Sequence, residues 1–381
     1  MVYLDYNATA PLVPAARAAM LPFLDGTCGN PSSIHAVGRR ARAAVDDARD
    51  RIAGLLGVRS QEILFTGGGT ESCNLGVIGL ARAHAPRGRH LITSVIEHHA
   101  VLHAFESLRH FEGFEVTLLP VDRSGIVNPE ALARAIRPET TLVSVMHANN
   151  ETGMIQPVTE LAAICREHGV LFHTDAVQTF GKLPIRPHEM GVAALSIASH
   201  KVGGPQGVGA LYVGTGVAIS RTSHGGAQEN TRRPGTENVA GIAGFAAAAE
   251  FAVGHAAEDG RRLAALRDAL WHSIGGSCPE AQRNGDPARS LANTLNVSFP
   301  GADGEALLIG LDLEGVCVSS GSACMVGSVQ PSHVLLAMGV PSRTALATVR
   351  FSLGLSTTDG DIARAARAML RVLERQFSPV S

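Results

Sequence analysis

Several features that define other classes of protein are missing from this chain of 381 residues. No stretch reaches the roughly 18 consecutive apolar residues of a membrane span, and the N-terminus lacks the basic and apolar segments of a secretory signal. The formal net charge is −2 and no block of Lys and Arg exceeds a few residues, so the electrostatic footprint of a nucleic-acid or membrane-surface binder is absent. We therefore expect a cytoplasmic protein that acts on a small molecule or another protein.

Paired cysteines are missing as well. The six cysteines are scattered singly, without the two-residue spacings of zinc or redox pairs, and reduced thiols are expected. His99 and His103 are spaced as on a zinc-binding helix face, but the sequence indicates no third ligand, and we predict no metal site. The cysteines are Cys28, Cys73, Cys165, Cys278, Cys317 and Cys324.

What is present is typical of a two-domain α/β protein. The chain is too long for one small core. From residue 60 to 213, short apolar runs rich in β-branched residues alternate with helical patterns, which predicts a mostly parallel central sheet with crossover helices. We assign residues 12–254 to this large domain, and residues 1–11 together with 255–381 to a smaller α/β domain. Predicted strands cover 62–66, 90–94, 115–119, 141–147, 170–174, 194–198, 208–213, 294–299, 316–319 and 348–353, and a helix is predicted to begin near residue 255.

A glycine-rich turn follows the first strand of the large domain. The apolar run 63–66 leads into Gly67, Gly68, Gly69 and Thr70, where backbone N–H groups at a helix N-terminus suit an anion. An ordinary strand-to-helix turn is the alternative. The turn has neither the Gly-Lys-Ser/Thr of a nucleotide P-loop nor the spacing of the dinucleotide fingerprint.

Two charged residues follow later strands. Asp175 is expected at the carboxyl end of a strand, where open α/β sheets place ligands, although a local ion pair or a helix cap would also explain it. Lys201 follows the next strand on a glycine-rich loop, where an amine near an apolar sheet suits Schiff-base chemistry; a solvated surface lysine is the alternative. An anion-binding turn, an acid and a lysine are the groups that pyridoxal 5'-phosphate (PLP) requires. We therefore predict that the large domain binds PLP.

Three further residues are candidates for chemistry. Cys324 lies among small residues, in a segment expected to be accessible, where a cysteine can ionise and attack. His98 is either an acid–base or ring-stacking group or a histidine at a helix start. Arg350 places a positive charge on an apolar strand, where it either binds a carboxylate or is paired structurally.

These residues stand in motifs that resemble those of the NifS/IscS-like cysteine desulfurases, which are class V aminotransferases of PLP fold type I. The similarity extends nearly from end to end. The matching motifs are Tyr3–Pro11, Asn30–His35, Phe65–Glu71, Asn149–Gly153, Asp175 with Gln178, Ser199–Lys201 and Ser319–Cys324.

The resemblance implies a role for each matched residue. Lys201 would hold PLP through its amine, Asp175 would pair with the ring nitrogen and His98 would stack on the ring. Cys324 would receive the sulfur as a persulfide. Further cofactor contacts would come from Gly69, Thr70, Asn150, Gln178, His200 and, from the second subunit of a homodimer, Thr236; the substrate would be bound by Asn7, Asn150 and Arg350.

The chain departs from the family pattern at three places. Ala198 replaces the usual phosphate-binding serine, so either Ser199 substitutes for it or one phosphate bond is absent. Met325 and Val326 follow Cys324 where polar residues are common. The chain ends at Ser381 without the longer tail with which housekeeping members dock a scaffold protein, so weak or no binding to such a scaffold is expected.

The prediction is an enzyme that converts L-cysteine to L-alanine and passes sulfur from a Cys324 persulfide to an acceptor protein, for iron–sulfur cluster assembly or for thiolation of a cofactor or tRNA. One alternative is a selenocysteine lyase or another PLP lyase or transaminase of the same fold, which Cys324 disfavours. The other is a non-catalytic, desulfurase-like protein that only binds partners, which Lys201, Asp175 and His98 disfavour.

Overall fold

The computed structural model describes residues 1–26, 29–320 and 330–377. Its strands are β1 (Val2–Tyr3), β2 (Ile63–Thr66), β3 (His90–Ser94), β4 (Glu115–Leu119), β5 (Thr140–Ser144), β6 (Leu171–Asp175), β7 (Ala194–Ala198), β8 (Gly209–Val213), β9 (Gln282–Arg283), β10 (Thr294–Ser298), β11 (Val316–Cys317) and β12 (Thr348–Ser352). Its α-helices are α1 (Pro14–Leu24), α2 (Ala36–Leu56), α3 (Gly69–His84), α4 (His99–Glu112), α5 (Pro129–Ala135), α6 (Val158–Glu167), α7 (Pro187–Met190), α8 (Val239–Ser277), α9 (Gly304–Leu313), α10 (His333–Ala337), α11 (Ser342–Leu346) and α12 (Asp359–Phe377).

Seven strands form the central sheet, in the order β2-β8-β7-β6-β5-β3-β4. Only β8 runs antiparallel to its two neighbours, and the other pairs within this sheet are parallel. The predicted α/β fold with a mostly parallel central sheet is therefore confirmed. Because parallel strands end at the same edge, the segments that follow β2, β3, β5, β6 and β7 meet there.

Helices cover both faces of the sheet. On one face, α2 presents Val45, Ala48 and Ile52 at three- and four-residue steps, and all three are fully buried in a core shared with β2 and β7. On the other face, α3 and α4 bury Val77, Leu80 and similar residues against Leu91 and Leu142. These two layers fix the strand ends from which the site is built.

The helix α8 is longer than the sequence pattern predicts, since it begins at Val239 rather than near residue 255. Its first half is made of small residues that pack closely: a Cβ at Gly244 would lie 2.6 Å from the Met20 side chain on α1. By length and composition α8 is apolar enough to cross a membrane, but half of its most apolar window is buried inside the protein. Packing against α1 and α2 accounts for its apolar character.

The C-terminal part has a core of its own. Strands β12, β10 and β9 form a three-stranded antiparallel sheet, and β1 pairs in parallel with β11. Leu270 from the second half of α8, Val297, Phe351 and Met369 are fully buried in this core. The strand predicted at 316–319 is regular only over Val316–Cys317, and Ser319 pairs with Arg350 through an isolated bridge.

Candidate active site

A cavity of ≈ 360 Å³ lies at the carboxyl edge of the central sheet. It collects residues from the N-terminus, from five strand ends of the sheet (β2, β3, β5, β6 and β7) and from β12. Of the residues predicted to be functional, it is lined by Asn7, Gly69, Thr70, His98, Asn150, Asp175, Gln178, His200, Lys201 and Arg350. Residues far apart in sequence are therefore neighbours.

Lys201 ends a short 3-10 turn directly after β7. Its Nζ donates hydrogen bonds to the backbone carbonyls of Asn7, at 2.5 Å, and Ala8, at 2.7 Å. These carbonyls belong to the N-terminal segment, which crosses the strand edge. The contacts hold the amine at the cavity.

Asp175 is the last residue of β6 and is 7% exposed. Its Oδ1 accepts a hydrogen bond from the Val177 N–H at 2.9 Å. Burial raises the pKa of Asp175 above the ordinary carboxyl value. A cation placed in the cavity would offset the free-energy cost of burying the charged carboxylate, so Asp175 suits a protonated ring nitrogen.

His98 caps the N-terminus of α4 after β3. Its Nδ1 accepts the Ala100 N–H at 3.1 Å, which leaves Nε2 to carry the proton of the neutral ring. Burial lowers the pKa of His98 below its usual range. A neutral, flat ring therefore lines the cavity.

Arg350 projects from β12 and is 2% exposed. Its Nη2 pairs with Asp5 Oδ1 at 2.7 Å, and its Nη1 donates to the Asn150 carbonyl at 3.0 Å. Its Nε is buried with no hydrogen-bond partner in the described part of the chain. The guanidinium thus keeps donors for a carboxylate, and a buried unmatched donor favours such a ligand.

Amide side chains tie these elements together. Asn7 Nδ2 donates to Thr294 Oγ1 at 2.9 Å and to the Asn150 carbonyl at 3.2 Å. Gln178 Nε2 donates to the Asn7 carbonyl at 3.0 Å. The N-terminal segment, the central sheet and β10 are therefore linked at the cavity wall.

The glycine-rich turn lies at one end of the cavity, where α3 begins. A Cβ at Gly69 would lie 2.9 Å from Val177 Cγ2, so glycine is required for the turn to pack on the ends of β6 and β7. Thr70 is exposed at the first turn of α3, and His200 bonds to Thr9 Oγ1 at 3.2 Å through Nδ1. The free N–H groups at the start of α3 suit a phosphate.

Two predicted residues, Ser199 and Thr236, do not line the cavity of the described chain, and the position of a third is not described. The Ser199 hydroxyl is buried without a partner in the described chain and points at Gly204, where a Cβ would lie 2.2 Å from its Oγ. Thr236 does not line this chain's own cavity. Cys324 lies outside the described residues. Their roles stay predictions.

Two sulfur-containing cavity residues were missed by the sequence patterns. Cys73 lines the cavity one helical turn after Gly69, and its i, i+4 spacing was the signal that could have found it. Burial raises the pKa of the Cys73 thiol well above its usual value, so the thiol stays protonated. Met146, which follows β5, is the other.

The His99 ring lies 5.0 Å from the ring of His103 and 5.0 Å from that of His333, centroid to centroid. Among the residues that the structure describes, no group of three His, Cys, Asp or Glu side chains is arranged to hold a metal ion.

The fold and the site correspond to a known family. Residues 2–364 match the model of the aminotransferase class-V family, and the chain belongs to that family.

The relatives narrow this to the NifS/IscS-like cysteine desulfurases, as the sequence motifs predicted. The chain is 49% identical to cysteine desulfurase IscS of Dictyoglomus turgidum, over 99% of this chain and 96% of the relative. It is 45% identical to cysteine desulfurase IscS of Methanosarcina thermophila, over 100% of this chain and 94% of the relative. A solved NifS-like protein superimposes with a TM-score of 0.92 at 38% identity, covering 98% of this chain and 99% of that one.

Proposed function

We propose that this protein is a PLP-dependent cysteine desulfurase, which converts L-cysteine to L-alanine and retains the sulfur as a persulfide on Cys324. The observation that carries the proposal is the convergence of Lys201, Asp175 and Arg350 on one cavity. These side chains supply an amine, an acid and a carboxylate-binding cation. The names of the relatives support the same activity.

The residues present fit PLP. Asp175 is a buried carboxylate that a cationic ring nitrogen would stabilise, and the start of α3 offers N–H groups to the phosphate. His98 offers the face of a neutral ring. Gln178 and Asn150 border the same space, and Lys201 offers the amine that the aldehyde requires.

Within this site each residue has a definite task. When bound, PLP supplies an electron-withdrawing ring that stabilises negative charge at the substrate Cα. Arg350 binds the substrate carboxylate through its free donors, and thereby sets which bond at Cα faces Lys201. Lys201 Nζ takes the Cα proton and later returns one.

The sulfur step belongs to Cys324. Its thiolate attacks the substrate sulfur, so that an S–S bond forms at Cys324 as the substrate C–S bond breaks. Alanine is then released and a persulfide stays on the protein. The sulfur is passed to an acceptor protein, for iron–sulfur cluster assembly or for thiolation of a cofactor or tRNA.

We further propose a cytoplasmic homodimer. Thr236 does not line the active-site cavity of its own chain. The segment that carries Thr236 is held in place by two ion pairs, Arg233 with Glu71 at 2.8 Å and Arg49 with Glu229 at 2.6 Å. A rigid segment of this kind is able to present Thr236 to the phosphate of a second copy.

The test is to load the purified protein with PLP, add L-cysteine and measure alanine and sulfide together, with dithiothreitol present. The proposal expects equal amounts of both and a visible absorbance that changes on adding cysteine. Pyruvate and ammonia in place of alanine would identify another PLP lyase, and no absorbance change would leave a partner-binding protein.

A further inference from the structure

The chain uses lysine almost nowhere. Of its 32 Lys and Arg residues only two are lysines, Lys182 and Lys201. Arginine keeps its proton at every accessible pH, whereas a lysine amine can lose it when it is buried or lies near another cation. In a chain that otherwise uses arginine, a second lysine is significant if it lies near the first.

The two lysines line the same cavity. This second cavity, of ≈ 270 Å³, lies on the other side of Lys201 from the active-site cavity, and Lys201 borders both. Its walls are largely apolar and include Pro11, Val13, Leu263 and Leu353. Charges that meet across such walls interact strongly, because little solvent screens them.

Close packing holds Lys182 beside Lys201. Gly181 has φ +76, and a Cβ there would lie 2.8 Å from Cγ1 of Val202, the residue after Lys201. The turn that carries Lys182 therefore packs on the side chain of the residue that follows Lys201. Replacing Gly181 would separate them.

Hydrogen bonds connect the two amines through Gln178. Lys182 Nζ donates to Gln178 Oε1 at 3.4 Å, and Gln178 Nε2 donates to the Asn7 carbonyl at 3.0 Å. That carbonyl also accepts from Lys201 Nζ. While it is protonated, the Lys182 ammonium can only donate, so it fixes which end of the Gln178 amide carries oxygen and leaves the amide nitrogen to donate to the Asn7 carbonyl.

No carboxylate neutralises Lys182 among the residues that the structure describes. Asp259 borders the cavity but pairs with Arg262 at 3.6 Å. Burial, followed by the charges of Lys201 and Arg350, lowers the pKa of Lys182 to about 7.

Lys201 itself faces a mixed set of charges. Asp175 favours a proton on it, whereas Lys182 and any positive charge on His98 or His200 oppose one. Lys182 is the member of this set that approaches from the apolar cavity.

We propose that Lys182 is a positioning residue for Lys201: it orients the Gln178 amide, and its ammonium charge, held across an apolar cavity, keeps the Lys201 amine in its unprotonated, reactive form. This rests on the proposed function, since it treats Lys201 as the reactive amine. Lysine rather than arginine stands at 182 because the amine is able to release its charge when Lys201 takes up a proton.

The first test is a pH titration of the visible absorbance of the PLP-loaded protein at rest, without substrate. Removing the charge in Lys182→Met should raise the proton affinity of the lysine-bound chromophore about tenfold, whereas Lys182→Arg should keep the wild-type midpoint or lower it. Lys182→Gln serves if the methionine variant does not fold. Equal midpoints in wild type and the uncharged variants would overturn the proposal.

The second test needs no cofactor. In protein labelled with ¹³C at lysine Cε, the two lysines give two side-chain signals, which Lys182→Met assigns. The Lys201 signal should titrate at higher pH in the variant than in the wild type. An unchanged Lys201 titration contradicts the inference, whereas a shifted titration in a protein that shows no PLP absorbance would contradict the proposed function and leave the coupling of the two amines standing.

Discussion

The two cavities on either side of Lys201 differ in what their walls offer to the same amine. The larger one gathers Asp175, His98 and Arg350, and nearly all of its polar groups are fixed by backbone or amide partners. The smaller one is bordered mostly by hydrocarbon, with Lys182 as the nearby cation. We propose from this difference that the polar cavity recognises ligands and that the apolar cavity sets the stability of the fold and the proton affinity of the Lys201 amine.

The largest effect is expected where the two cavities meet. Lys201→Ala should abolish turnover, because it removes the amine on which the polar side depends. In the wild type, borohydride should trap the cofactor on Lys201, as shown by peptide mapping. The other lysine of the chain is the built-in control: a label on Lys182 instead would contradict the assignment.

A truncation on the apolar side should act on stability instead. Leu353 is 1% exposed and borders the smaller cavity. Leu353→Ala should lower the free energy of unfolding by about 2–5 kcal/mol, as for other buried leucines, with the KM for cysteine within about twofold of wild type. Denaturant unfolding and steady-state kinetics on one preparation measure both. A large rise in KM at unchanged stability would mean that the apolar wall recognises substrate.

Near the polar cavity, the buried Glu97, which precedes His98, should make the free energy of unfolding depend on pH. Glu97 is fully buried: its Oε1 accepts from Ser94 Oγ and from the Met146 N–H, and burial raises its pKa to about 8. The folded state thus holds this proton more tightly than the unfolded chain does, so stability falls as pH rises from about 4.5 to about 8.

Glu97→Gln should remove that component of the pH dependence. Between pH 5 and pH 8 the wild type should lose about 2–4 kcal/mol more than the variant, since one pKa unit corresponds to about 1.4 kcal/mol. Unfolding in denaturant at the two pH values measures this, with Glu130→Gln at an exposed position as the matched control. Parallel pH profiles for wild type and Glu97→Gln would show that Glu97 is not the titrating group.

The smallest of these effects should come from substrate recognition. Arg350→Ala removes a charge-assisted bond to the cysteine carboxylate, worth about 1.5–3 kcal/mol, so KM should rise roughly ten- to a hundredfold with PLP affinity little changed. The exposed Arg343→Ala is the control. If Arg350→Ala left KM unchanged, its pairing with Asp5 would be its whole function.

The sequence predicted most reliably the site residues that lie at the ends of strands. Asp175 and Lys201 follow apolar runs that became β6 and β7, and parallel strands bring their ends together, so the joint cavity followed from pattern alone. It could not predict side-chain directions. The direction of the Ser199 hydroxyl depends on the rotation of a short turn, which leaves no periodic pattern, and the only sequence signal for Cys73 is its four-residue spacing from Gly69.

The sequence pattern also did not predict the length of α8 or the packing of Lys182 beside Lys201. The small residues of α8 from Val239 onwards show no apolar stripe, because nearly every side of that half is buried. No sequence pattern singled out Lys182, because its place beside Lys201 depends on the packing of Gly181 on Val202. Both depend on contacts between elements distant in sequence.

In the proposed function, amine chemistry at Lys201 and sulfur chemistry at Cys324 are separate steps of one reaction. The direct measurement adds L-cysteine to PLP-loaded wild type and Cys324→Ser, and follows visible absorbance and alanine together. Both proteins should show the absorbance change, because it depends on Lys201. Only the wild type should release alanine and carry a persulfide that dithiothreitol removes, since a serine hydroxyl is a poor nucleophile towards sulfur. Alanine formed by Cys324→Ser at the wild-type rate would contradict the account and indicate a lyase that needs no protein thiol.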